Sequence, residues 1–260
     1  MSPHDPRERS RRGSELRSAV LAQPVDEPAT LFESSWRDFV YAEVWSRPGL
    51  DRRARYLVAI AGAACAGEPA RLDAYVRGAL ENRQLTPVEL RESALQVAVY
   101  AGWSAGALLD ECVTRVFGAL GLPDPGCEPI RAERSDPAAR IAEARAVFER
   151  VACTPSPPPF TPYLEAGVLH FVFGELWPRT GLDSRARRWL TLTCVGHGGA
   201  ERPLRSHCYS ALASGDVTRE ELLECVLQFA IHAGWPKGAV MQGVILQQAE
   251  RVAKGLPFEP

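Results

Sequence analysis

No two of the seven cysteines are spaced CxxC, the arrangement that zinc ribbons and vicinal-thiol redox centres require. The count is odd, and most of these cysteines lie in apolar helical runs, where a cysteine is a small buried hydrophobe. Long apolar stretches are missing too. Nothing reaches the roughly 18 residues of a membrane span. Residues 1–12 are charged and lack the apolar core of a signal peptide. No membrane partner is expected, and the expected location is cytoplasmic. A basic excess is also missing: 30 Lys and Arg face 32 Asp and Glu, a net charge of -2. That balance argues against a nucleic-acid partner. It leaves room for a small anionic substrate, which one or two arginines can hold. There is no HExxH and no cluster of carboxylates, so no metal site and no cofactor are expected. Strand-like alternation with hairpin chemistry is absent as well.

What the chain does have is an internal repeat. "EVWSRPGLDRRAR" from Glu43 returns as "ELWPRTGLDSRAR" from Glu175, and "ELRESALQVAVYAGW" from Glu89 as "ELLECVLQFAIHAGW" from Glu221. Both pairs share an offset of 132 without a gap, with 25 identities over 65 aligned positions. A repeat of this length is a duplicated module rather than a solenoid unit. Each copy reads as helices. Asp51 and Asp183 stand as N-caps before apolar-periodic runs. Thr86 with Glu89, and Thr218 with Glu221, form capping boxes, the first strengthened by Pro87. Leu90, Ala94, Val97, Ala98 and Ala101 fall on one helical face. The fold class is all-α. The first module takes 1–120, a Pro- and Gly-punctuated linker 121–137, and the second module 138–260. A helix near 14–21 opens the first copy and one over 138–151 opens the second, with a stiff Pro-rich connector at 154–162. Residues 30–117 and 162–250 are expected to superpose about a pseudo-two-fold axis.

These motifs, with "LDAYVRGALENRQLTPVEL" in the first copy and "LRSHCYSALASGDVTREEL" in the second, resemble the carboxymuconolactone decarboxylase family of the AhpD-like fold. The resemblance covers most of both copies. It implies a helical bundle and, in one branch, decarboxylation of a carboxylated lactone without a cofactor. Another branch runs thiol peroxidase chemistry from CxxC followed by His. Here the matching histidine is His207, but Pro203 and Ala200 stand where the thiols should be. In the first copy those places hold Arg71 and Glu68, with Tyr75 in place of the histidine. The peroxidase reading is therefore disfavoured, and Cys208→Ser is expected to spare activity. Single-module relatives assemble as hexamers, so the resemblance implies a homotrimer, a pseudo-hexamer, for a tandem chain.

His207, on the family's helix-borne position, is the first candidate for proton transfer, because imidazole ordinarily titrates near neutrality. His232 is the second; it aligns with Tyr100, and either can hydrogen-bond a ligand. The first copy carries Tyr75, Tyr100 and Cys65 where the second has His207, His232 and His197, so the second copy is the expected working one. His207→Ala should then cost more than Tyr75→Phe. Arg47 and Arg179 are candidate carboxylate clamps, or partners of Glu43 and Glu175 one helical turn away. Glu175, Trp235, Tyr75 and Tyr100 complete the substrate-binding set. Trp45, Trp103, Trp177 and Trp235 recur in register, as core or interface aromatics do. Arg55 and Arg187 read as solvated or structural. The function expected is a cofactor-free lyase or isomerase acting on a small carboxylated lactone or related conjugated carbonyl compound. The alternative is a non-catalytic, ligand-binding member of the fold.

Overall fold

The computed structural model describes residues 5–126, 129–131, 134 and 136–259, and all its regular elements are helical. Cys127 and part of the 121–137 linker lie outside the described residues. In order the helices are α1 (Pro6–Leu21), α2 (Leu31–Ser35), a π-helical stretch (Trp36–Trp45), α3 (Arg52–Ala66), α4 (Pro69–Glu81), α5 (Pro87–Ala101) and α6 (Trp103–Leu120). The second half follows with α7 (Pro137–Ala152), a second π-helical stretch (Tyr163–Leu176), α8 (Ser184–Gly198), α9 (Glu201–Ala213), α10 (Arg219–Ala233) and α11 (Trp235–Ala253). Helices α8 to α11 each begin 132 residues after α3 to α6.

The caps sit where the sequence puts them. Asp51 accepts from the Ala54 amide and Asp183 from the Ala186 amide. Both Thr–Glu capping boxes are complete. The opening helices α1 and α7 are present, α1 starting well before the expected residue 14. The wide-turned stretches are the element that periodicity does not announce. Each packs on an opening helix, the first on α1 and the second on α7.

Helices α3 and α8 form the centre. Every residue from Ala54 to Ala64 is buried, as is every residue from Ala186 to Gly196. A helix apolar or small on all sides is stable only when surrounded. The two pack on each other, α3 also on α10, and α8 on α5. One hydrophobic core therefore draws residues from both halves, from Val20 to Ile245.

Polar contacts across this centre are reciprocal. Arg55 donates to Glu224 (3.1 Å) and Gln228 (3.2 Å); Arg187 donates to Glu92 (2.9 Å) and Gln96 (2.9 Å). Arg53 reaches Asp183 at 2.7 Å, and Arg185 reaches Asp51 at 3.1 Å. A contact of i with j matched by one of j with i is what an isologous, two-fold interface requires. Arg55 and Arg187 are structural rather than solvated, each with a side chain only 1% exposed. No described helix is long and apolar enough to cross a membrane.

Candidate functional site

The centre places one side chain from each half into each of two aromatic pairs. Tyr75 on α4 meets His232 on α10, edge to face, with ring centroids 5.7 Å apart. His207 on α9 meets Tyr100 on α5 in the same geometry at 5.2 Å. The two histidines of the second half thus belong to different pairs. The sequence reading grouped them by copy, whereas the packing groups them across copies.

The surroundings of the two pairs differ. Beside Tyr75 a cavity of about 340 Å³ opens between α1, α2, the first π-helical stretch and α4. Its wall includes Arg17, Phe32, Trp36, Tyr41, Arg71 and Tyr75. The volume suits a small molecule. The Thr30–Glu33 capping box fixes the rim at the start of α2. The Arg71 guanidinium lies over the Trp36 ring at 3.7 Å and is paired with Glu68 at 2.7 Å. Cation and ring attract through the ring quadrupole, so the charge is held in place. Trp45 stacks on Tyr75 at 5.9 Å, and Trp36 meets His232 edge-on at 6.2 Å.

Tyr75 is 1% exposed, and its hydroxyl, although it interacts with the neighbouring Tyr41 phenol, makes no hydrogen bond of full geometry. Both ring nitrogens of His232 are likewise buried and unpartnered, although the ring as a whole keeps partial exposure. Unpaired buried polar atoms each cost about 1–3 kcal/mol, so these three are hydrogen-bonding capacity that the packing does not use. Gly62 makes the approach possible: a Cβ there would lie 2.9 Å from that of His232.

The second pair is closed differently. Trp177 donates its indole N–H to the Tyr100 hydroxyl at 2.8 Å. Arg188, at the place of Tyr56, bonds Asp216 (2.9 Å), Ser210 (3.0 Å) and the Val151 carbonyl (2.6 Å) and lies over Trp177. Pro203 and Val168 stand where Arg71 and Trp36 line the cavity, and Ala200 where Glu68 pairs with Arg71.

Burial decides the protonation of these groups. It pushes His207 down to about 3, with Arg188 adding to the effect, and His232 down to about 4, with Arg71 and His197 adding. Both are neutral at pH 7, which corrects the expectation of an imidazole titrating near neutrality. Burial holds Tyr75 well above its ordinary value, and lifts Tyr100 to about 12. A stability test follows. An unfolded histidine gains its proton near pH 6.5, but these two stay neutral in the fold until about 4 and about 3. The stability present above pH 6.5 should therefore fall as pH drops from 6.5 towards 4, by up to about 1.4 kcal/mol per pH unit per group. Urea midpoints between pH 7.5 and 5 measure it, and His207→Phe should flatten the slope. Equal slopes would show that His207 is accessible to protons in the fold.

The other sequence candidates are bound elsewhere. Arg47 pairs with Glu224 at 2.5 Å and not with Glu43, which takes Arg9 at 2.6 Å. Arg179 pairs with Glu92 at 2.7 Å, and Glu175 pairs with Arg140. The i,i+4 pairing fails because these side chains reach across the centre or back to the opening helices. Arg47 borders a more open depression beside α1, away from the Tyr75–His232 pair. Trp235 is 57% exposed and meets Phe39 edge-on; Trp45 and Trp177 are core, and Trp103 is exposed. Phe32, Trp36 and Tyr41 were missed. They lie on the π-helical stretch and its approach, where Phe32 and Trp36 map onto Leu164 and Val168 and so leave no repeat signal.

The profile of the Carboxymuconolactone decarboxylase family matches residues 31–109, a stretch that supplies most of this cavity's wall. A 4-carboxymuconolactone decarboxylase from Acinetobacter baylyi is 32% identical over 123 residues, covering 44% of this chain and 91% of that protein. The nitrosuccinic acid decarboxylase npaB of Metarhizium robertsii is 36% identical over 94 residues, covering 35% of this chain and 62% of that protein. An uncharacterized 15.0 kDa protein from the nqo9–nqo10 intergenic region of Paracoccus denitrificans is 35% identical over 77 residues, 29% of this chain and 57% of that protein. The chain belongs to the carboxymuconolactone decarboxylase family.

Proposed function

We propose that the chain is a decarboxylase acting on a small anionic, conjugated carbonyl compound in the cavity beside Tyr75, with His232 packed behind that ring. The observation that carries this reading is the set of buried polar atoms without a full hydrogen bond, the Tyr75 hydroxyl and the two His232 nitrogens, behind a cavity walled by Arg71. Arg71, steadied by Glu68 and Trp36, orients a substrate carboxylate. When the C–C bond to the departing carboxylate breaks, CO2 leaves and the electron pair spreads onto the conjugated carbonyl as a dienolate. Tyr75, kept protonated by burial, donates to the oxygen that gains charge. Neutral His232 has one donor and one acceptor nitrogen, so it can deliver its proton to the carbon while the other nitrogen takes one from water, leaving the ring neutral and the water as hydroxide that solvent neutralises. The family resemblance and two relatives named as decarboxylases support the same class of reaction.

The test uses the full chain with 4-carboxymuconolactone and nitrosuccinate as probes, reading CO2 release and, separately, binding. Turnover that weakens in Arg71→Gln mainly through KM supports the reading. Binding without CO2 release would replace it with the ligand-binding alternative. The assembly proposed alongside is a homotrimer. Exposed Trp103, Trp235, Phe160 and Tyr163 supply apolar surface beyond what a lone subunit needs. Light scattering should give roughly three times 28.5 kDa, and a stable monomer at micromolar concentration would refute it.

A further inference from the structure

Cys65 lies in the last turn of α3 and Cys194 in α8, the two central helices, and their Sγ atoms are 3.9 Å apart. A disulfide brings the sulfurs to about 2.05 Å, so a modest side-chain adjustment separates this pair from a bond. The two cysteines are far apart in sequence and come from different halves. CxxC spacing therefore gives no hint of them. They are also unrelated by the internal repeat: Cys65 aligns with His197, and Cys194 with Gly62.

The pair is asymmetric in a way that suits oxidation. Cys65 is half-buried, whereas Cys194 is fully inside. The hydrogen bond with Cys194 lowers the Cys65 thiol below its ordinary value, and Lys237, which donates to the His197 carbonyl, adds to the effect. Among the other described cysteines, Cys112, Cys153, Cys194, Cys208 and Cys225 are all held above theirs. The thiolate is the reactive form, so Cys65 is the one expected to react first.

We propose that Cys65 and Cys194 form a reversible oxidative cross-link between the two halves, with hydrogen peroxide as the oxidant. The Cys65 thiolate attacks one peroxide oxygen, the O–O bond breaks, and water leaves once the departing oxygen is protonated. Cys65 is then a sulfenic acid. Cys194 sulfur attacks Cys65 sulfur, the S–O bond breaks, and hydroxide departs with the Cys194 proton as a second water. Two thiols and one peroxide become one disulfide and two waters. A dithiol reductant reverses it. The bond would fasten α3 to α8 one turn from Gly62, against which the His232 ring rests.

The test is mass spectrometry of the full chain after peroxide treatment, alkylation of remaining thiols and non-reducing trypsin digestion. The tryptic peptides 56–71 and 189–205, the second running through the uncleaved Arg202–Pro203 bond, each carry one cysteine. The expected result is that these two appear joined before any other pair, and separate on reduction. Cys194→Ser should leave Cys65 as a sulfenic acid trapped by dimedone, and Cys65→Ser should leave Cys194 unoxidised at the same dose. Three results would overturn the proposal: Cys65 advancing to sulfinic acid in the native chain with no joined peptide, a different pair joining first, or no oxidation of Cys65.

Discussion

Tyr75→Phe should lower kcat for decarboxylation by about 10²–10³-fold, the usual cost of removing one preorganised donor to a developing oxyanion. The substitution keeps the ring, its stack on Trp45 and its edge contact with His232, and deletes only the hydroxyl. KM should change little, because Arg71 holds the ground-state charge. Tyr100→Phe is the matched comparison. Its hydroxyl oxygen accepts from Trp177, in a pair without an arginine at the place of Arg71 to hold a carboxylate, so its effect on turnover should be far smaller. This ordering reverses the one read from sequence, in which His207 outranked Tyr75. Steady-state kinetics of Tyr75→Phe, Tyr100→Phe and His207→Ala decide between them: if His207→Ala proves the most damaging, the chemistry sits in the second pair.

The largest loss of stability should come from Glu92→Ala. Glu92 receives both Arg179 and Arg187, and its side chain is 7% exposed. Burial alone would raise its pKa, but the two guanidiniums outweigh burial and hold it below the ordinary value. Deleting the carboxylate leaves Arg187 buried without its counter-charge, a change worth about 3–5 kcal/mol. Replacing both members, Glu92→Leu with Arg187→Met, should recover much of that loss, since no orphaned charge remains. Denaturant midpoints measure both, and a double variant as unstable as the single one would show that the fold depends on the ion pair itself. Glu224→Ala is expected to behave similarly but more mildly, because its second partner, Arg47, is 51% exposed and can turn to water.

Much of the fold was legible because its signals are local. Asp51, Thr86, Thr218 and Glu221 announce helix starts through capping chemistry that involves residues three apart. The 132-residue offset announces recurrence. The all-helical class followed from these alone. The π-helical stretches were not legible, since their wider turns break the period on which helix reading depends. The site was half legible. Tyr75, Tyr100, His207 and His232 were each singled out, but their pairing was not, because it is made by α3 and α8 packing face to face. Arg47 and Arg179 looked like clamps because arginine suits carboxylates. Nothing near them in sequence reveals that Glu224 and Glu92, from the opposite halves, already occupy them.

The crossed pairing of Tyr75 with His232, and of His207 with Tyr100, has a consequence for how such a gene can change. Each pair holds one phenol and one imidazole, at exchanged positions. A substitution in one half therefore meets a partner in the other, so a change acts on the pair rather than on the repeat. Cutting the gene between the repeats would leave the cavity wall on the first fragment but part Tyr75 from His232 and Tyr100 from His207. Homogenising the repeats by recombination would set tyrosine against tyrosine, or histidine against histidine, in both pairs at once. Carrying both halves on one chain is what lets the two pairs have different surroundings.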